Sequence, residues 1–222
     1  MTSLQRIDGN RRMRYLAGAC LALLCAAEMA AAHAWSLTIT SGGRRLFLHV
    51  GNGNLSGPSG TLNGTGGVSG PINLVQVSVP LAQLGNGTSL AMTSDSTQST
   101  SLYGDNNITC PTPASQVMVG AGYRRPGNNS GSAILSVASP TSLTNANGDT
   151  IPISQISWTV AAPGSGLPNV IPAGTFNGGT QSLATLPGNT YIENCHTFRY
   201  ANNVVRPAGT YNARVTYTLT AP

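Results

Sequence analysis

Lysine is absent from this 222-residue chain, and its eleven arginines face only six acids. Charged residues make up 8% of the sequence, which leaves few groups for acid–base chemistry. From residue 35 onward the acids are Asp95, Asp105, Asp149 and Glu193, and the histidines are His49 and His196. Glycoside hydrolysis uses two carboxylates flanking the bond, but Asp95, Asp105 and Asp149 all lie in turn-like sequence. Asp149, within Asn147-Gly148-Asp149, is explained by turn chemistry alone. Nucleophilic catalysis needs a base beside Ser, Cys or Thr, and no Gly-x-Ser-x-Gly elbow is present. His49, next to Val50, reads as a surface or strand histidine. Asp105-Asn106-Asn107 is only a fragment of the oxygen cluster a calcium site needs. Gly51-Asn52-Gly53 and Gly64-Thr65-Gly66-Gly67 lack the following helix that a phosphate loop requires. These shortages argue against an enzyme, a resident metal and a cofactor.

The chain also lacks an apolar run long enough to span a bilayer, which takes about 20 residues. Leu16 to Ala27 supplies 12 before Glu28 interrupts it. Arg6, Arg11, Arg12 and Arg14 precede that stretch, and Ala32-His33-Ala34 follows it. A basic flank, a short apolar core and an Ala-x-Ala end form the pattern of a secretory signal peptide. Residues 1–34 are therefore expected to be removed, and starting at Met13 would make the leader more compact. Arg11-Arg12 does not complete a twin-arginine pattern, and neither Cys20 nor Cys25 has a lipoprotein context. The expectation is export through a periplasm to the cell surface or medium, with no stable span after cleavage.

The remaining 188 residues carry seven arginines against four acids, a net charge of +3. Much of the basic pI thus belongs to the leader. Arg44-Arg45 and Arg124-Arg125 lie on separate segments, too thin a stripe to indicate nucleic acid. Two cysteines remain, Cys110 and Cys195. In an exported chain an even count reads as a disulfide, and neither has a second cysteine nearby at zinc-ligand spacing.

What the sequence has in quantity is period-2 alternation. Trp35, Leu37 and Ile39 alternate with Ser36, Thr38 and Thr40; Leu46, Leu48 and Val50 form a second set. Residues 51–70, rich in Gly, Asn and Ser, read as a flexible loop. Val75, Val77 and Val79 alternate up to Pro80, which ends a strand or marks an edge. Val117 to Tyr123 and Ala133 to Val137, joined through Arg124-Arg125-Pro126-Gly127-Asn128-Asn129, read as a hairpin. Ile156, Trp158 and Val160, then Leu183, Tyr191–Tyr200 and Tyr211–Leu219, complete about nine or ten strands. Helical periodicity is absent after the leader. The pattern predicts one all-β domain over 35–222, an antiparallel immunoglobulin-like or jelly-roll-like sandwich.

The C-terminal segment is the most informative. Pro207-Ala208-Gly209-Thr210 leads into Tyr211, Ala213, Val215, Tyr217, Leu219 and Ala221, with polar residues between. Such a strand must bury its apolar face or template aggregation. Ala208-Gly209-Thr210-Tyr211 and this strand resemble the ends of chaperone–usher pilus subunits and of spore-coat-U-like secreted fimbrial proteins. The resemblance covers about the last 16 residues. Ala221 stands where a tyrosine is common in the family, and the Cys110–Cys195 separation is wider than the family's usual disulfide.

The resemblance implies an incomplete sandwich finished by strand donation, first from a periplasmic chaperone working with an usher, then from the next subunit. Residues 35–43, with Trp35, Leu37 and Ile39, would be the N-terminal donor strand; an ordinary first strand is the other reading. Gly209, Tyr211, Val215, Tyr217 and Leu219 would belong to the acceptor side. The function so implied is a bacterial surface-fibre subunit that self-associates by β-strand addition. The alternative is a stand-alone secreted adhesin or carbohydrate-binding module, with Trp158, Tyr103, Tyr123 and Tyr200 as available rings and Trp158 expected in the core.

Overall fold

A computed structural model of the chain describes residues 37–38, 42–58, 60–63, 72–102, 108–127, 131–161 and 170–222. All of them fall in the compact unit Ala34–Pro222. The expected leader, Trp35, Ile39 and Tyr103 lie outside the described residues.

The described chain is nearly all antiparallel β, with three single-turn 3-10 segments and no α-helix. In order, the strands begin with β1 (Leu37–Thr38), β2 (Arg45–Val50), β3 (Gly53–Gly57) and β4 (Thr61–Asn63). Next come β5 (Val75–Gln76), β6 (Leu90–Ala91), β7 (Thr93–Ser94) and β8 (Val117–Arg124). They are followed by β9 (Ser132–Ala138), β10 (Ser142–Thr144), β11 (Thr150–Pro152) and β12 (Ile156–Ala161). The last are β13 (Gly174–Thr175), β14 (Thr180–Pro187), β15 (Thr190–Tyr200) and β16 (Thr216–Thr220).

Two sheets carry the fold. The larger runs β13-β12-β15-β8-β2-β3, with β1 and β6 also paired to β15; the smaller runs β14-β9-β16-β4. Alternation explains the core. Leu46 and Leu48 of β2, Val117, Val119, Ala121 and Tyr123 of β8, and Phe198 and Tyr200 of β15 share one buried cluster with Leu135, Val137, Tyr217 and Leu219 of the smaller sheet. Side chains two apart point to one face, so each strand sends every second residue between the sheets.

Three expectations change. Residues 51–70 are not wholly a loop: β3 pairs with β2 and β4 pairs with β16. β3 (Gly53-Asn54-Leu55-Ser56-Gly57) is made mostly of turn-type residues and β4 (Thr61-Leu62-Asn63) is short, and main-chain pairing accommodates both once Leu55 is buried and Leu62 packs against the core. Val117–Tyr123 and Ala133–Val137 do not form a hairpin. β8 lies in the larger sheet and β9 in the smaller, so their connection crosses between layers. The strand count also exceeds nine or ten, since pieces of two or three residues such as β6, β7 and β13 are too short for periodicity to reveal.

β8 and β15 are buried on both faces. On the outer face, Met118 packs with the disulfide between Cys110 and Cys195. Both cysteines are fully buried, with Cα atoms 5.6 Å apart and a sequence separation of 85. The bond pins the segment entering β8 to the middle of the neighbouring strand. Chain-entropy arguments give such a closure about 4–5 kcal/mol. A Cys110→Ser/Cys195→Ser chain is therefore expected to lose about 2–5 kcal/mol in urea unfolding; an unchanged midpoint would contradict this role.

Candidate functional site

Three features gather chemistry: a trough beside the C-terminal strand, an aromatic and histidine cluster beneath it, and a polar cluster on the outer face of the larger sheet.

The trough is a cavity of about 360 Å³ between the two sheets. One wall is Ala213, Arg214, Val215 and Tyr217; the opposite wall is Val50, Gly53–Leu55 and Ile72–Val75. Met92, Val117, Ile153, Ile156, Phe176 and Phe198 floor it. The lining is mainly aliphatic and aromatic, with Asn54, Asn73 and Arg214 as polar members. Ile72 and Leu74 stay about half exposed there, at 53% and 50%. Their segment is held by polar anchors. The Asp95 carboxylate accepts from Leu74 N at 2.8 Å and Asn73 Nδ2 at 2.9 Å, and Asn73 Oδ1 accepts from Asn52 N at 2.7 Å. Strand pairing bounds the trough too. β16 is paired along its length to β9, whereas β4 meets only Thr218–Thr220 among the described residues.

The residues singled out in the C-terminal segment therefore separate. Val215 and Tyr217 line the trough. Leu219 is fully buried in the core and pairs with Leu62 of the adjacent β4. Tyr211 precedes the strand and donates its hydroxyl to Pro207 O at 2.9 Å. Gly209 is exposed and lies against Asn145. At the other end of the unit, Leu37 and Thr38 pair with Tyr191 and Thr190 at the start of β15.

Beneath the trough, rings stack in series. Trp158 lies 4.8 Å from Phe176 and parallel to His196 at 6.3 Å, and His196 meets Tyr217 edge-on at 6.1 Å. Trp158 Nε1 donates to Pro172 O at 2.9 Å. Trp158, Tyr123 and Tyr200 are buried, so these three rings form no exposed sugar platform. Burial lowers the His196 pKa to about 3 and raises that of Tyr217 far above its usual value.

The outer-face cluster was not legible from sequence. Register places His49, Gly120 and Glu193 side by side across β2, β8 and β15. Glu193, 2% exposed, accepts from Ser101 Oγ at 2.9 Å, Thr109 Oγ1 at 2.6 Å and Tyr191 Oη at 2.8 Å. A buried carboxylate costs several kcal/mol unless such donors surround it. Gly120 gives Tyr191 room, because a Cβ there would overlap the phenol oxygen. His49 is buried in its strand rather than on the surface. Burial lowers its pKa to about 4, the Gly51 backbone offsets part of this, and neither ring nitrogen completes a well-formed hydrogen bond. The only hint in sequence was the parity of Tyr191, Glu193 and Cys195. Among the described residues no group of three or more His, Cys, Asp or Glu side chains could hold a metal, and no helix is long and apolar enough to cross a membrane.

No protein-family model, curated protein or solved structure matches this chain.

Both histidines are held neutral in the fold, while the unfolded chain takes up their protons below about pH 6.5. Stability is therefore full above that pH and falls as pH drops toward 4 for His49 and 3 for His196. The combined loss should be on the order of several kcal/mol. In denaturant titrations from pH 7 to pH 3, His196→Phe should flatten this dependence; a slope equal to the parent's would refute the assignment.

Proposed function

We propose that this chain is an exported structural subunit that associates by β-strand addition, the trough beside β16 being its acceptor. The observation that carries this reading is the apolar trough itself, lined along one side by Ala213, Val215 and Tyr217 of the C-terminal segment. Protein interiors close-pack with few voids larger than a water molecule. A trough of about 360 Å³ lined by Val215, Tyr217, Leu55 and Phe198 suits alternate side chains of an extended segment. Each large apolar side chain moved out of water there contributes about 1.5–3 kcal/mol, and main-chain bonds to the strand edge add direction.

The segment 35–43 is the proposed donor. Trp35, Leu37 and Ile39 have the period-2 spacing that a trough between sheets selects. Among the described residues, Leu37 and Thr38 of this segment pair with Tyr191 and Thr190 of β15, a pairing that strand exchange would replace with one in a neighbouring molecule. In the resemblance drawn from the C-terminal strand, a periplasmic chaperone covers the acceptor before an usher orders assembly. The same roles are proposed here, with a surface fibre as the product.

The test uses two variants of the unit Ala34–Pro222. Deleting residues 35–40 removes the donor, and Val215→Asp spoils the acceptor. Each variant alone should stay monomeric by light scattering at concentrations where the parent assembles. Mixed together they should form a capped dimer and no longer species. A parent that stays monomeric at every concentration, or variants that assemble as it does, would rule strand exchange out.

A further inference from the structure

The two arginine pairs, about eighty residues apart in sequence, are brought together by strand register. Arg45 of β2 sits directly opposite Arg124 of β8. Successive residues alternate faces, and here Arg45 and Arg124 share the outer face with Phe47, Gly122 and Tyr191, one step beyond them. Arg44 precedes Arg45 and Arg125 follows Arg124, so four of the seven arginines after residue 34 occupy one end of the sheet. Like charges directly opposite across a pair of strands destabilise it.

No described acid is engaged at this end. The Asp95 carboxylate is bound to Leu74 N and Asn73, that of Asp149 to Asn145, and that of Glu193 is enclosed by three hydroxyls. The guanidinium groups are also set in place. Arg124 Nε donates to Gly43 O at 3.0 Å, over the turn that leads into β2. Arg125 is fixed through its backbone, its N–H donating to Asn189 Oδ1 at 2.9 Å. Its side chain lies across Gly188, where a Cβ would overlap it. Arg125 Nε and Nη1 are shielded from solvent and have no hydrogen-bond partner among the described residues. Unpaired, shielded cationic donors are costly in a folded protein. With no described acid engaged beside them, Arg44, Arg45, Arg124 and Arg125 leave this end of the sheet positively charged.

We propose that this arginine end of the larger sheet docks on the phosphate headgroups of an anionic bilayer surface. The guanidinium fork matches phosphate oxygens two at a time. Four cations spread along a strand end fit an array of phosphates better than one free ion. Clusters of about four to eight basic residues are a typical footprint for anionic lipid, at about 1 kcal/mol per arginine. The surface is separate from the trough and does not rest on strand addition.

The test is co-sedimentation of the unit Ala34–Pro222 with phosphatidylglycerol-containing vesicles and with pure phosphatidylcholine vesicles. Binding should require the anionic lipid and weaken as salt is raised. Arg45→Gln/Arg124→Gln should reduce partitioning roughly 30-fold, the equivalent of two such arginines. Arg199→Gln/Arg206→Gln, an equal charge loss elsewhere, should change it by less than about 3-fold on the same scale. Because the opposed arginines repel, Arg45→Gln/Arg124→Gln should unfold at a temperature no lower than the parent's, which separates lost binding from lost folding. Equal binding to both vesicle types, or equal loss in the two double variants, would overturn the proposal. Full displacement by millimolar inorganic phosphate would assign the site to a free anion instead. Tighter binding to a DNA duplex than to the vesicles would assign it to nucleic acid.

Discussion

A strand buried on both faces has to satisfy two environments at once, and β15 does so over eleven residues. Its even-numbered residues face the smaller sheet, where His196, Phe198 and Tyr200 join the aromatic core. Its odd-numbered residues face outward, where Tyr191, Glu193 and Cys195 would be stranded without a cover. The disulfide to Cys110 and the hydroxyls of Ser101 and Thr109 supply that cover from one stretch of chain. Pairing to β12, β8, β6 and β1 then uses both edges of the strand. Most other positions in the larger sheet are set relative to this one.

Asparagine side chains carry much of the remaining order, as suits a chain short of charge. Asn202, fully buried and with φ of 56°, accepts from Gly85 N and donates to Gln83 O and Asn86 Oδ1. This ties the turn before β6 to the end of β15. Asn194 accepts from Val170 N and Ile171 N and donates to Ala161 O, closing the connection that follows β12. Amide side chains can donate and accept together, so a single residue can stand in for a local piece of sheet. The wall of the trough is held in the same way, through Asn52, Asn73 and Asp95. The trough is thus a formed surface, framed by hydrogen bonds that do not depend on what enters it.

The two proposed surfaces use different physics at different places. The trough offers apolar contact and a strand edge, both insensitive to salt. The arginine end offers long-range attraction that salt screens. A subunit with both could be drawn to a charged layer while its joining surface remained available to another subunit.

Alternation of apolar and polar residues determined the antiparallel β class, the positions of β2, β8, β9, β12 and β15, and the burial of Trp158, because side-chain direction in a strand depends only on parity. With Cys20 and Cys25 assigned to the expected leader, the two remaining thiols allow one pairing, so the Cys110–Cys195 disulfide was legible in the sequence. Tertiary structure decided which sheet each strand joins, so that β8 and β9 parted where a hairpin was expected and residues 53–57 and 61–63, within a stretch read as loop, became strands. It also decided that Val215 and Tyr217 open into a trough while Leu219 does not, that Glu193 stands among hydroxyls, and that Arg45 faces Arg124. Each of these is a contact between residues far apart in the chain. Their partners are chosen by register and layer packing, and neither is written in a local run of residues.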